Sequence, residues 1–143
     1  MNPTVVAGIL VGLVAFATVL GLVWRAQQGR IRHTDGRTVV KAAEIPGIRR
    51  LASGATLLQF STEICAPCKV THTVLDGIAH ERTNVSHIDL DVTHRPDIAS
   101  RFHILQTPTT LILDRKGIVR ARIGGAPRVD ELRVELDRIL LAA

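Results

Sequence analysis

Apolar and polar positions follow three rhythms along this chain. Thr4 to Trp24 form one uninterrupted apolar run without a charged residue. As a helix rising about 1.5 Å per residue it spans roughly 31 Å, against a bilayer hydrocarbon core of about 30 Å. Ala55 to Phe60 is a shorter apolar run that predicts a buried strand. Val70, Val74 and Ile78, with Leu75 beside them, recur at helical spacing and predict a helix to about Arg82. Val85 to Val92 alternates, as a strand with one face in the core does.

The weaker signals fill in the order. Thr38 to Lys41 predicts a short strand, and Glu44 to Ala52, broken by Pro46 and Gly47, an irregular or weakly helical segment. Pro96 to Phe102 predicts a short helix with Asp97 in its first turn. Thr109–Leu113 and Ile118–Ile123 flank Asp114-Arg115-Lys116-Gly117 and predict a hairpin. Arg128 to Leu141 carries a stripe of Val129, Leu132, Leu136, Ile139 and Leu140. The resulting order, β-α-β-α-β-α-β-β-α, implies an α/β domain with a mixed central sheet and helices on both faces. It is preceded by one N-terminal transmembrane helix.

Composition divides the 143 residues further. Between Arg25 and Arg50 lie seven basic residues (Arg25, Arg30, Arg32, Arg37, Lys41, Arg49, Arg50) and two acidic ones, an excess equal to the net charge of +5 of the whole chain. The high pI therefore belongs to the segment beside the apolar run, where basic residues meet anionic lipid headgroups at about 1 kcal/mol each. No nucleic-acid partner is expected. The chain divides into a transmembrane anchor at 4–24, a basic juxtamembrane linker at 25–37 and a folded domain at 38–143. A cleaved secretory signal is the rival reading of the first segment; the apolar run is longer than a signal's core, no Lys or Arg precedes it and no A-x-A-like site follows. The positive-inside rule orients the domain toward the cytoplasm. Fifteen Arg against three Lys, with abundant Ala and Val, suggest a GC-rich bacterial source, and so a single-pass protein of a bacterial cell membrane.

The chain's two cysteines stand three residues apart in Ile64-Cys65-Ala66-Pro67-Cys68-Lys69, where the predicted strand hands over to the predicted helix. Unpaired N–H groups and the positive end of the macrodipole stabilise a thiolate at such a place, so a pKa of about 8.5 falls toward 7 or below. Cys65 is then a nucleophile near neutral pH, and Cys68, one turn in, is within reach to bridge to it. Pro67 suits the first helical turn, and Lys69 adds positive charge. Two other readings compete. A buried structural pair would need no particular spacing. A metal site could draw on Cys65, Cys68, His72 and His80, but a closed zinc site gathers ligands from two separate segments. His33, His94 and His103 read as solvated or capping residues.

Cys-Ala-Pro-Cys-Lys after a strand, with Thr107-Pro108 before a later one, resembles the thioredoxin family over roughly Thr38 to the C-terminus. The resemblance implies a thioredoxin fold and a redox-active Cys65–Cys68 disulfide, with no other cofactor and no metal. It implies protein-disulfide reduction, with Cys65 attacking and Cys68 resolving, protein disulfides as substrates and an upstream thiol reductant as donor. The matching proline in the family is cis and faces the dithiol, so Thr107 and Pro108, with Ile64, Ala66 and Pro67, become the substrate platform. Three departures stand out: Ile64 replaces an aromatic residue, Gln59 the usual buried Asp, and His87 the Lys that accompanies it. Gln59 cannot act as a base, leaving Glu63, His87 or water as substitutes; Lys69 is a further candidate for tuning. Membrane-tethered relatives commonly face outward, which opposes the charge rule; an extracytoplasmic domain would favour a disulfide oxidase or isomerase. A non-catalytic binding or metal-carrier module on the same fold is the remaining alternative.

Overall fold

The structure, a computed structural model, describes residues 2–142. The apolar run forms α1 (Pro3–Gln27), opened by Pro3 in its first turn, and none of its residues is buried. Only three residues later the chain enters β1 (Ile31–His33). The segment read from sequence as a linker thus supplies an edge strand. The short strand expected at Thr38–Lys41 is corrected to a single bridge between Val39 and Ile118. The reason is physical: β1 buries only part of Ile31 and exposes Arg32 and His33, so its place is set by backbone pairing with a partner strand and leaves no hydrophobic rhythm. A single 3₁₀ turn at Ala42–Glu44 follows.

The remaining elements are β2 (Ala55–Ser61), α2 (Ala66–His80), β3 (Val85–Asp91), α3 (Pro96–Arg101), β4 (Thr109–Asp114), β5 (Val119–Gly124) and α4 (Val129–Leu141). The five strands lie in the order β1-β5-β4-β2-β3. β3 runs parallel to β2, as the crossover through α2 requires, and the other neighbours are antiparallel. This is the mixed sheet the pattern implied.

Every residue of β2 is buried, because each of its faces meets a separate apolar layer. Ala55 and Leu57 join Leu75, Ile78, Leu132, Leu136 and Ile139 beneath α2 and α4. Leu58 and Phe60 join Ile98, Phe102, Leu111 and Leu113 on the opposite face. The inner face of α2 departs from the expected stripe: it is Cys68, Thr71, Leu75, Ile78 and Ala79, while Val70 is 62% exposed. Burial of Cys68 sets the rotation of the helix, since only Thr62–Cys65 separate β2 from α2 and Cys68, in its first turn, faces the sheet.

The sheet pairing also gathers one end of the domain. Phe60 pairs with Thr109, Thr109 with Gly124, and Ile31 with Ile123. The exit of β2, the entry of β4, the exit of β5 and the entry of β1 therefore lie side by side. Replacing fully buried Leu57 by Ala should cost about 2–5 kcal/mol, read as a lower urea midpoint at unchanged slope.

Candidate redox-active site

At that end of the sheet, β2 gives way to α2 across Thr62–Cys65. Cys65 is the N-cap residue of α2, extended at φ −148° and ψ 93°, and its Sγ accepts the Cys68 N–H at 3.2 Å. Pro67 falls within the first turn, where a missing N–H costs nothing. Cys65 and Cys68 are joined by a disulfide with Cα atoms 5.2 Å apart. Cys65 is partly exposed and Cys68 is 3% exposed, so one sulfur meets solvent and the other is shielded. The Cys68 N–H, shared between the Cys65 carbonyl and Cys65 Sγ at 3.2 Å each, sits at a helix start and favours the Cys65 thiolate whenever the pair is reduced.

Ile64, 98% exposed, and exposed Ala66 and Pro67 surround the disulfide. The loop before β4 meets the chain just ahead of the disulfide: the Thr107-Pro108 peptide bond is cis, the Thr107 hydroxyl lies 3.3 Å from that of Thr62, and the Pro108 carbonyl accepts the Gly125 N–H at 2.8 Å. Ile64, Ala66 and Pro67 are thus exposed around the disulfide, Thr107 is partly exposed beside Thr62, and Pro108 is buried.

Beneath Cys68 the site is polar. Gln59, fully buried, donates from Nε2 to the Cys68 carbonyl at 3.0 Å, and its Oε1 lies 3.0 Å from His87 Nε2. That contact requires a proton on Nε2 and leaves His87 Nδ1 toward Asp76 Oδ1 at 3.8 Å. The His87 side chain is 2% exposed. Burial, and then the proximity of His72, push its pKa below the ordinary histidine value. Thr71 and Thr110, also buried, have hydroxyls without a protein partner among the described residues, and Thr110 pairs with Gln59 across the sheet.

A second polar group was not foreseen. His72 Nδ1 lies 3.1 Å from Asp89 Oδ2, while Asp89 Oδ1 accepts the Ser61 hydroxyl at 2.5 Å. His72, Asp89 and Ser61 line a cavity of about 280 Å³ together with Cys65, Cys68 and Lys69. The sequence signal was available, since His72 follows Cys68 by one helical turn. Its partner Asp89 comes from another strand, so only pairing of β3 with β2 unites them.

Other expected residues stand apart. Glu63 has a 61% exposed side chain, 3.8 Å from His94, and is not part of the layer under Cys68. His80, at the end of α2, binds the Asp76 carbonyl at 2.8 Å. Among the described residues no three His, Cys, Asp or Glu side chains converge as ion ligands. His103 adopts φ 51° in the loop before the cis bond, and His33, at the end of β1 away from the disulfide, lies 3.4 Å from Glu135 of α4.

A family model described as Thioredoxin matches residues 47–138. The thioredoxin of Mycobacterium tuberculosis is 38% identical over 85 residues, 59% of this chain and 72% of that protein. Thioredoxin H2 of Arabidopsis thaliana is 30% identical over 83 residues, 58% of this chain and 61% of that protein. The crystal structure of the Nicotiana alata thioredoxin NaTrxh superposes with a TM-score of 0.54 at 27% identity, covering 62% of this chain and 75% of that one.

The buried imidazole makes stability depend on pH. Its pKa is lowered in the folded state, so the unfolded chain binds the proton first. Stability from this group is intact well above pH 6.5 and is lost as pH falls below it, at up to about 1.4 kcal/mol per pH unit. Carboxylates such as Asp114 act in a lower window: its burial is outweighed by the Ile118 N–H, the Arg120 guanidinium and the Lys116 N–H, which hold its pKa below the usual value. Thermal unfolding of the oxidised chain between pH 7 and 5 should show the loss, and His87→Gln should flatten it.

Proposed function

Because this chain belongs to the thioredoxin family, we propose that it is a membrane-anchored thiol–disulfide oxidoreductase that reduces protein disulfides. The family relation carries the reaction class, a redox exchange at Cys65–Cys68. The observation supporting the assignment of roles is the asymmetry of the pair: Cys65 is partly exposed with an N–H at its sulfur, and Cys68 is shielded one turn behind.

In the exchange the Cys65 thiolate attacks one sulfur of the client disulfide. A Cys65–client disulfide forms, and the second client sulfur leaves as a thiolate that takes up a proton. Cys68 then loses its proton and attacks Cys65 Sγ, closing the Cys65–Cys68 bond and releasing the client's first sulfur as a thiol. Two electrons and two protons have passed to the client, and an upstream thiol reductant restores the pair. Ile64, Ala66, Pro67, Thr107 and Pro108 hold the client's extended chain beside Cys65. No further cofactor enters this scheme.

The proton on Cys68 needs an acceptor, and Gln59 is committed to holding the Cys68 carbonyl. His87 spends its proton on Gln59. His72 suits the task better: Asp89 accepts from its Nδ1, which leaves Nε2 with the lone pair, in the same cavity as both sulfurs. Lys69 contributes charge at the cavity mouth.

The anchor reading rests on α1, 25 residues long with no buried residue. An apolar helix that finds no partner in its own domain would expose its whole surface in water, and a bilayer removes that cost. Arg25, Arg30 and Arg32 then lie at anionic headgroups, with the domain on the cytoplasmic side by the charge rule.

Four measurements test this. Cys68→Ser should accumulate mixed disulfides with clients while Cys65→Ser forms none; absence of trapped adducts from an active parent would refute the roles. His72→Gln should slow resolution of the mixed disulfide on the order of tenfold or more and leave the first attack unchanged. A reduction potential near −270 mV would fit reduction, and one near −120 mV would replace it with oxidation; labelling of Cys65 by a membrane-impermeant thiol probe on intact cells would place the domain outside.

A further inference from the structure

The entry of α1 into the sheet determines which end of the domain a membrane helix would hold. α1 ends at Gln27 and β1 begins at Ile31, a connection that reaches about 14 Å at full extension. It is held at its middle and at the helix end before it: the Gly29 N–H donates to the Gly124 carbonyl at 2.8 Å, and Arg128 donates to the carbonyl of Ala26, in the last turn of α1, at 2.9 Å. Gly29 has φ +73° and packs so closely that a Cβ there would strike the Ala126 carbonyl. This is a fixed joint and not a swinging tether.

The joint lies at the disulfide end of the sheet. Gly124, which receives Gly29, pairs with Thr109, the residue after the cis Thr107-Pro108 bond. Gly125 in turn donates to Pro108. β1 then runs away from this end, from Ile31 opposite Ile123 to His33 opposite Ala121. Between the last turn of α1 and the domain lies a groove of about 290 Å³ lined by Trp24, Arg30, Leu105, Gln106 and Arg122. Leu105 is 95% exposed and Ile64, beside Cys65, 98%. The turn at Lys116 is at the other end of six-residue β4, about 20 Å away at 3.4 Å per residue.

We propose that the Cys65–Cys68 site faces the bilayer surface, and that its client is a disulfide carried at headgroup level by an integral-membrane protein. The proposal rests on the anchor reading and deepens it. Size decides against a folded soluble client: a domain of 100 residues has a radius of gyration of about 13 Å, so it is wider than the gap a 14 Å joint leaves over the headgroups. A short extended segment emerging from the bilayer fits. Exposed Ile64 and Leu105 meet its apolar flanks, and Arg30, Arg32 and Arg122 match the anionic surface it emerges from. The exchange itself is the one above, two electrons passing from the dithiol to the client disulfide.

The test uses the full chain in liposomes. In a Cys65→Ser, Cys68→Ser background, a fluorophore is attached through Leu105→Cys or, in a second sample, Lys116→Cys, with a nitroxide quencher on the lipid headgroups. Quenching should be several-fold stronger at position 105. A chain that resists carbonate extraction but is quenched equally at both positions, or more at 116, would overturn the facing and leave the anchor intact. A chain that carbonate removes would overturn both. For the client, the unsubstituted chain is given one disulfide peptide anchored either directly at the headgroups or on a spacer of about twenty prolines, some 60 Å long. Membrane confinement is equal for both, so faster reduction of the surface-level disulfide supports the proposal, and equal or slower reduction refutes it.

Discussion

Cys68 is pinned from both sides of its peptide unit, and the rest of the site depends on it. Its N–H points to Cys65 Sγ and its carbonyl accepts from Gln59. The first bond orients a dipole at the outer sulfur; the second fixes the first turn of α2 against the middle of the sheet. A helix start free to fray would present neither the N–H nor a second sulfur at a constant distance. Gln59 therefore acts as a structural clamp where a carboxylate would act as a base.

That clamp sets the character of the layer beneath. Gln59, Thr71, Thr110 and His87 place polar groups in the core beside Cys68, and a buried polar group left unbonded costs about 1–3 kcal/mol, a cost the Thr71 and Thr110 hydroxyls carry. Gln59 meets this demand with two bonds. His87 meets it by remaining neutral, which explains why burial and the nearby His72 lower its pKa. Proton traffic is displaced to the solvent side of α2, where His72 and Asp89 border the cavity of the sulfurs.

The N-terminal region joins this arrangement at the same place. β1 adds a fifth strand at the edge of the sheet, covering β5 by backbone bonds and placing the root of α1 against Gly124 and the loop that carries Pro108. One end of the sheet thus holds the reactive pair, the surface for an extended chain and the apolar helix. Their proximity follows from antiparallel pairing of β1, β5 and β4, since each reversal returns the chain to the same edge.

Local rhythm in the sequence was enough to specify the apolar helix, the buried strand before the cysteines, the alternation in β3, the hairpin and the last helix, because each buries a continuous face and so shows its period. The Cys65–Cys68 pair was equally legible, since its chemistry lies within one helical turn. Tertiary structure alone decided what pairing and facing control. β1 took its place through a neighbour's backbone and not through its own side chains. α2 turned Cys68 and Thr71 inward and Val70 outward because it follows β2 so closely. Asp89 reached His72, and Glu63 did not reach Cys68, because the parallel register of β3 on β2 brings distant residues together that no local pattern records.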